Sequence, residues 1–120
     1  MKLIKSFAFA LNGLKACFCS ETNFKIHLLF AAIAVSFGIG FKISDTQWLA
    51  IIFCIASVIA LEMLNTAIEK LCDVVHKDFH PEIKKVKDIS AGAVLVAAVC
   101  SLIVGAVIFV PKIIIYIQSF

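Results

Sequence analysis

The chain has 120 residues, of which 62% are hydrophobic, and a mean hydropathy of +1.08. A domain this short keeps much of its surface exposed and cannot hide so many apolar side chains from water, so an ordinary soluble domain is excluded and a lipid bilayer becomes the natural solvent. The net charge of +3 comes entirely from Lys, since there is no Arg. No basic stripe interleaved with aromatics accompanies it, so no nucleic-acid partner is expected.

In chain order, residues 3–18 predict an amphipathic helix. Leu3, Phe7, Leu11, Leu14 and Phe18 recur at helical spacing, and Lys5, Asn12 and Lys15 supply polar positions. Such a helix suits the membrane interface; its other use is as a packing face for the rest of the chain. The start does not read as a signal peptide, because Asn12, Lys15, Glu21 and Lys25 interrupt any apolar core. Thr22 or Asn23 is expected to cap the next helix. A first transmembrane helix is predicted over about 26–43, with Lys42 snorkelling at its end. Ser44, Asp45 and Thr46 form a turn with a plausible N-cap, and Trp48 follows at an interfacial position. A second, long helix is predicted over about 47–70, emerging near Asp73. Residues 76–88 are polar, and Pro81 argues against continuous regular helix there. No charge falls between Ile89 and Val110, so the third span is placed at about 89–111, with its exit at Pro111 and Lys112.

The whole chain, 1–120, is thus expected to form one all-α membrane domain with a surface helix and three transmembrane helices. Lys2, Lys5, Lys15 and Lys25 at one end, and Lys70, Lys77, Lys84, Lys85 and Lys87 in the second polar loop, put both regions in the cytoplasm by the positive-inside rule. The five cysteines include no CxxC pair and no metal-ligand spacing, and are expected to be unpaired thiols serving as small apolar residues.

Glu62, Asn65, Glu69 and Asp73 follow one another at spacings of 3, 4 and 4 and share one helical face. Glu62 directly follows an apolar run. Ionisable groups at such a depth are costly and point to function. A row of carboxylates also repels itself, and a divalent cation with a taste for oxygen ligands, such as Mg²⁺, relieves both problems. The plainer reading is a solvated helix end with Lys70 as counter-ion. Glu21, at the boundary between the first two helices, either completes a metal site or serves as a helix N-terminal charge. Lys87 and Asp88, at the mouth of the third span, either contact phosphate and metal or form an interfacial pair. His27 is read as an interfacial residue or a headgroup contact. The chain has no GxxxxGK[ST] loop, GxGxxG fingerprint, HRD or DFG set, or GxSxG elbow. A nucleotide site in this chain must therefore be built from side chains on helices.

Several segments resemble the prokaryotic diacylglycerol kinase and undecaprenol kinase family. They are the run EMLNTAIE from Glu62 to Glu69, Asp73, the stretch from His80 through Lys87 and Asp88, the ALNGLK of residues 10–15, and residues 21–27. The resemblance extends from about residue 2 to 110. It implies a homotrimer in the bacterial plasma membrane with a cytoplasmic active site shared between subunits. It implies transfer of phosphate from MgATP to a lipid hydroxyl. Carried over by position, Glu62 matches the general base and Asn65 a polar active-site residue. Glu21 and Glu69 match the metal-binding carboxylates, Lys87 and Asp88 the contacts to the nucleotide phosphates. Lys2, Phe9 and the segment from Asp78 to His80 fall where the family contacts the nucleotide. Lys2 replaces an Arg and Phe9 a Tyr of better-studied members, which removes a bidentate fork and a hydroxyl. Residues 24–27 resemble members acting on undecaprenol more than those acting on diacylglycerol. A non-enzymatic membrane subunit would not need the acidic stripe. An ion conduit would carry its charges nearer the middle of a span.

Overall fold

The computed structural model describes residues 1–120 and is entirely helical. Four helices follow one another with short breaks: α1 (Lys2–Ser20), α2 (Thr22–Phe41), α3 (Asp45–Val75) and α4 (Pro81–Gln118). The last three are long and apolar enough to cross a membrane, which fits a multi-pass membrane protein. At 1.5 Å per residue α2 spans about 30 Å, the thickness of the hydrocarbon core, whereas α3 and α4 overshoot it.

Each break has a local cause. Glu21 sits in extended backbone between α1 and α2, its N–H bonded to the Cys17 carbonyl at 3.0 Å. It holds the N-cap position in place of Thr22 or Asn23, yet its carboxylate makes no cap bond. The α2–α3 turn is a Schellman closure: the Ile43 N–H reaches the Gly38 carbonyl at 3.2 Å, and Lys42 adopts the left-handed conformation with φ 52°. Ser44 then opens α3 with a capping box. Its hydroxyl accepts from the Gln47 N–H, and the Gln47 side chain accepts from the Ser44 N–H.

The polar segment after α3 is more regular than Pro81 led us to expect. Pro81 is the first residue of α4, where a missing N–H costs nothing, so only His76–His80 interrupts the helices. Residues 81–88 are helical, and this sets the angular positions of Lys84, Lys87 and Asp88. Pro111 lies within α4, which continues to Gln118; bundle packing tolerates such prolines in membrane helices.

α3 is the central element. It packs along α4 most extensively and along α2 less so, while α2 and α4 barely touch. Only 14 of the 120 residues are buried, so the chain does not close a core among its own apolar side chains and leaves most of them for lipid or other protein to cover. The buried apolar cluster, Ile43, Ile51, Ile108 and Phe109, sits beside the α2–α3 turn, with Trp48 and Phe41 against it. Phe37 meets Phe109 edge-on at 5.9 Å between ring centroids. All five cysteines are free.

Candidate active site

At the opposite end of the bundle the buried residues include polar ones. α3 turns Glu62, Asn65 and Thr66 inward, and α4 contributes Ser90. Glu62 is 3% exposed and Asn65 7%. Counted along α3, Glu62 lies about 26 Å from Asp45, just within a hydrocarbon core about 30 Å thick. A carboxylate at that depth needs a partner. His27 of α2 supplies it, with Nε2 3.6 Å from Glu62 Oε2.

One turn on, Asn65 Nδ2 donates to Glu69 Oε1 at 3.3 Å. That bond fixes which way the amide faces and leaves Asn65 Oδ1 buried with no donor. A buried carbonyl oxygen without a partner is costly, and it keeps an acceptor available to any donor or cation that reaches it. The carboxylates of Glu69 and Glu21 both lie close enough to Glu62 to act on its charge.

The end of α1 closes over this cluster. Cys17 is buried there, and burial, then the Glu21 carboxylate, pushes its thiol above the ordinary range. Lys70 stands 3.9 Å from Glu21 Oε1, so it answers Glu21 rather than the α3 stripe. Lys87 and Asp88 do not pair with each other. Lys87 Nζ donates to Asp73 Oδ1 at 2.6 Å, which ties α4 to α3, and Lys84 takes Asp88 at 2.7 Å, one turn away. Both pairs are largely solvated and, taken as surface bridges, hold little energy. Lys87 is therefore free to exchange Asp73 for another anion.

The remaining predicted residues lie outside the buried cluster. His80 caps α4, its Nδ1 accepting the Glu82 N–H at 3.2 Å, and its ring stands edge-on to His76 at 5.3 Å. Asp78 is exposed in the same connection, and Lys2 and Phe9 are exposed on α1. Two residues at the site carried no weight in the sequence. Thr66 completes the i, i+3, i+4, i+7 face of Glu62, Asn65 and Glu69, and Ser90 lies one turn beyond Lys87, so both were within reach of periodicity. The His27–Glu62 pairing joins two helices, and no local spacing encodes it.

No group of three or more His, Cys, Asp or Glu side chains converges into a complete cation cage. The donor set nevertheless fits Mg²⁺, which keeps several waters and is commonly held by one or two carboxylates together with substrate phosphates. Glu21, Glu69 and the unpartnered Asn65 Oδ1 are such hard oxygen donors.

The chain matches the family model for prokaryotic diacylglycerol kinase over residues 8–109. It is 39% identical over 111 residues to an undecaprenol kinase of Bacillus subtilis, covering 92% of this chain and 90% of that one. It is 36% identical to a diacylglycerol kinase of Synechocystis, covering 91% of this chain and 63% of the relative. It is 32% identical to a diacylglycerol kinase of Haemophilus influenzae, covering 89% and 92%. A buried carboxylate–histidine pair beside an acidic helix face, on three membrane-length helices, is thus found in a chain that belongs to the prokaryotic diacylglycerol kinase family.

Proposed function

We propose that this protein is a lipid kinase that transfers the γ-phosphoryl group of ATP to the hydroxyl of a membrane alcohol, with undecaprenol as the acceptor. The observation that carries the reading is the buried Glu62, held by His27 at the membrane boundary beside an unpartnered Asn65 carbonyl. A lipid alcohol is a weak nucleophile. Glu62 takes its proton as the alcohol oxygen bonds to the γ-phosphorus and the bond from that phosphorus to the bridging oxygen of the leaving ADP breaks. His27 orients Glu62 and limits its motion. Lys87 releases Asp73 to contact the phosphates, and Asp88, Asp78, His80, Lys2 and Phe9 line the path of the nucleotide. Glu21 and Glu69, with Asn65 Oδ1, would hold Mg²⁺, which supplies neutralisation of the phosphate charge. Phosphoryl transfer asks mainly for positioning and electrostatics, so a small helical site suffices.

The enzyme works as a homotrimer in a bacterial plasma membrane, with its N-terminus and site on the cytoplasmic side and α1 lying in the interface. The Lys distribution and the family resemblance support this placement. The similarity to an undecaprenol kinase favours that acceptor. Relatives named diacylglycerol kinases support the second reading, in which the product is phosphatidic acid. The test is transfer of labelled phosphate from ATP to each lipid in mixed micelles. Labelled undecaprenyl phosphate is the expected product. Labelled phosphatidic acid alone would move the assignment to diacylglycerol, and no product with either lipid would leave a non-enzymatic membrane subunit.

A further inference from the structure

Glu62 and its partner differ in how far they reach toward water. The Glu62 side chain is 4% exposed, whereas the His27 imidazole, 3.6 Å away, is 21% exposed. His27 lies five residues into α2, about 8 Å along the helix from its start at Thr22. The other charges that reach Glu62 are like its own: the carboxylates of Glu21, between α1 and α2, and of Glu69 on α3. The Cys17 thiol of α1 lies within reach of the same charge. The lysines around the site are committed elsewhere. Lys70 stands by Glu21, Lys87 of α4 is bonded to Asp73, and Lys25 of α2 lies over the Phe18 ring. His27 is thus the one basic group paired with Glu62, and Glu62 is the one protein group paired with its ring.

A base in such a place must be emptied as well as filled. When Glu62 takes the alcohol proton it becomes a neutral acid, and the next alcohol is not activated until that proton leaves. Glu69 is occupied by the Asn65 amide and Glu21 by Lys70. Imidazole gains and loses protons within the physiological range, and its two nitrogens stand on different edges of the ring. Nε2 of His27 faces Glu62, which leaves Nδ1 on the side away from it. The step balances without a further reactant. The alcohol proton passes to Glu62 as the oxygen bonds to the γ-phosphorus and the electron pair of the bridging bond leaves with ADP. It then passes to His27, which restores the carboxylate beside an imidazolium. The imidazolium gives one proton to water, and the pair returns to its starting charge.

We infer that His27 receives the proton that Glu62 takes from the acceptor alcohol and returns it to water, so that the two side chains hold and release that proton as one unit. The inference rests on the lipid-kinase reading and deepens it. His27 acts through Glu62 and is a positioning residue for the proton, with a consequence of definite sign. The pair is active when it holds no proton, because a protonated His27 has no room for the proton Glu62 would pass on. Two acceptors that share a first proton bind it at higher pH than either does beside a neutral neighbour. Removing the imidazole must therefore move the acid limb of turnover to lower pH. A residue that only props Glu62 in place would lower the rate and leave that limb where it is.

The test is the pH dependence of kcat for the full-length protein in mixed micelles, at saturating ATP and lipid, from about pH 5 to 8. The parent is compared with His27→Gln, which keeps a polar side chain that cannot carry a proton, and with His27→Ala. In His27→Gln, kcat at neutral pH should fall about a hundredfold, with KM for ATP and lipid within about twofold of the parent. Its acid limb should lie about one pH unit lower. In His27→Ala, added imidazole should restore turnover at least about tenfold, and it should do nothing for the parent. An acid limb that stays in place in His27→Gln, or His27→Ala that imidazole does not rescue, would overturn the inference. So would a parent whose kcat has no acid limb in this range, a result that needs no variant to fold. Transfer by the parent with an unmoved limb removes the inference alone. No transfer by the parent to undecaprenol or diacylglycerol removes the kinase reading and the inference with it.

Discussion

Beside the α2–α3 turn, Ile43, Ile51, Ile108 and Phe109 bury one another, and the backbone N–H groups of Lys42, Ile43 and Ser44 each have a partner. At the far end of the same helices the buried set includes Phe24, Cys72 and Val94 but also every buried polar side chain of the chain, Glu62, Asn65, Thr66 and Ser90, and one amide oxygen has no partner at all. Lipid is as apolar as leucine, so the first region is held by close van der Waals fit and turn chemistry rather than by exclusion of water. In the second region, keeping charge and hydrogen-bonding capacity away from water costs stability, and the reaction proposed there accounts for that cost. One region stores stability and the other spends it, and substitutions should separate the two.

The largest effect should come from Glu62→Gln. The amide keeps the shape and can still meet His27, but it cannot take a proton. Phosphate transfer should fall by about a thousandfold, the scale of a lost general base, while nucleotide binding and helix content stay near normal. Labelled-phosphate transfer alongside a fluorescent-nucleotide titration measures both. Near-normal turnover would sink the base assignment.

Asn65→Leu sharpens the contrast further, because activity and stability should move in opposite directions. Leucine fills a similar volume and removes the unpartnered oxygen, at the expense of one hydrogen bond of 3.3 Å to Glu69. Activity should fall at least about a hundredfold, as for removal of one preorganised polar contact. Resistance to unfolding by SDS in mixed micelles should rise by about 1 kcal/mol, since a buried unsatisfied carbonyl is lost. A fall in stability would mean that Asn65 Oδ1 is satisfied, and the case for a cation there would weaken.

The two regions also differ in how much of them the sequence revealed. The helices were legible because their signals are local, apolar runs and the Ser44 cap; the turn expected at residues 44–46 lies instead at 42–44, since Asp45 and Thr46 already belong to α3. The Glu62, Asn65, Glu69 face was legible because its members lie on one helix at helical spacing. The His27–Glu62 pair was not, because it depends on how α2 and α3 rotate against each other. The partners of Lys70, Lys87 and Asp88 were hidden for the same reason. Pro81 misled in the other direction: proline predicts a break, and whether the break lies before or after it depends on the position it takes in the next helix. The apolar cavity between α2, α3 and α4 depends on three helices together, and no segment read alone contains it.

At the packed end, Gly38→Ala tests how tight the fit is. A Cβ there would lie 2.7 Å from the rim of the Trp48 ring and 3.1 Å from Ile43 Cδ1. Alanine gains helix propensity of about 1 kcal/mol over glycine, but the indole is rigid and is itself packed against the buried cluster. The clash should win, leaving the variant about 1–2 kcal/mol less stable to SDS. Turnover per folded molecule should not change, because Gly38 is at the opposite end from Glu62. A loss of turnover at full stability would show that the two regions are coupled.

The smallest effect, opposite in sign to that of Gly38→Ala, is expected four residues later. Lys42 occupies the position after α2 with φ 52° and ψ 54°, where its Cβ crowds the backbone. Left-handed geometry costs an L-residue about 1 kcal/mol, which glycine does not incur. Nothing in the turn requires the Lys side chain, since the closing bonds run from the backbone of Lys42 and Ile43 to Ile39 and Gly38. What lysine contributes is a charge at the end of α2 that can reach the interface. Lys42→Gly should therefore raise stability by about 0.5–1 kcal/mol if turn strain dominates. Lys42→Asn, which tolerates the left-handed region, should recover part of that gain. If both variants are instead less stable than the parent, the interfacial charge outweighs the strain, and the packed end also depends on its contact with the membrane surface.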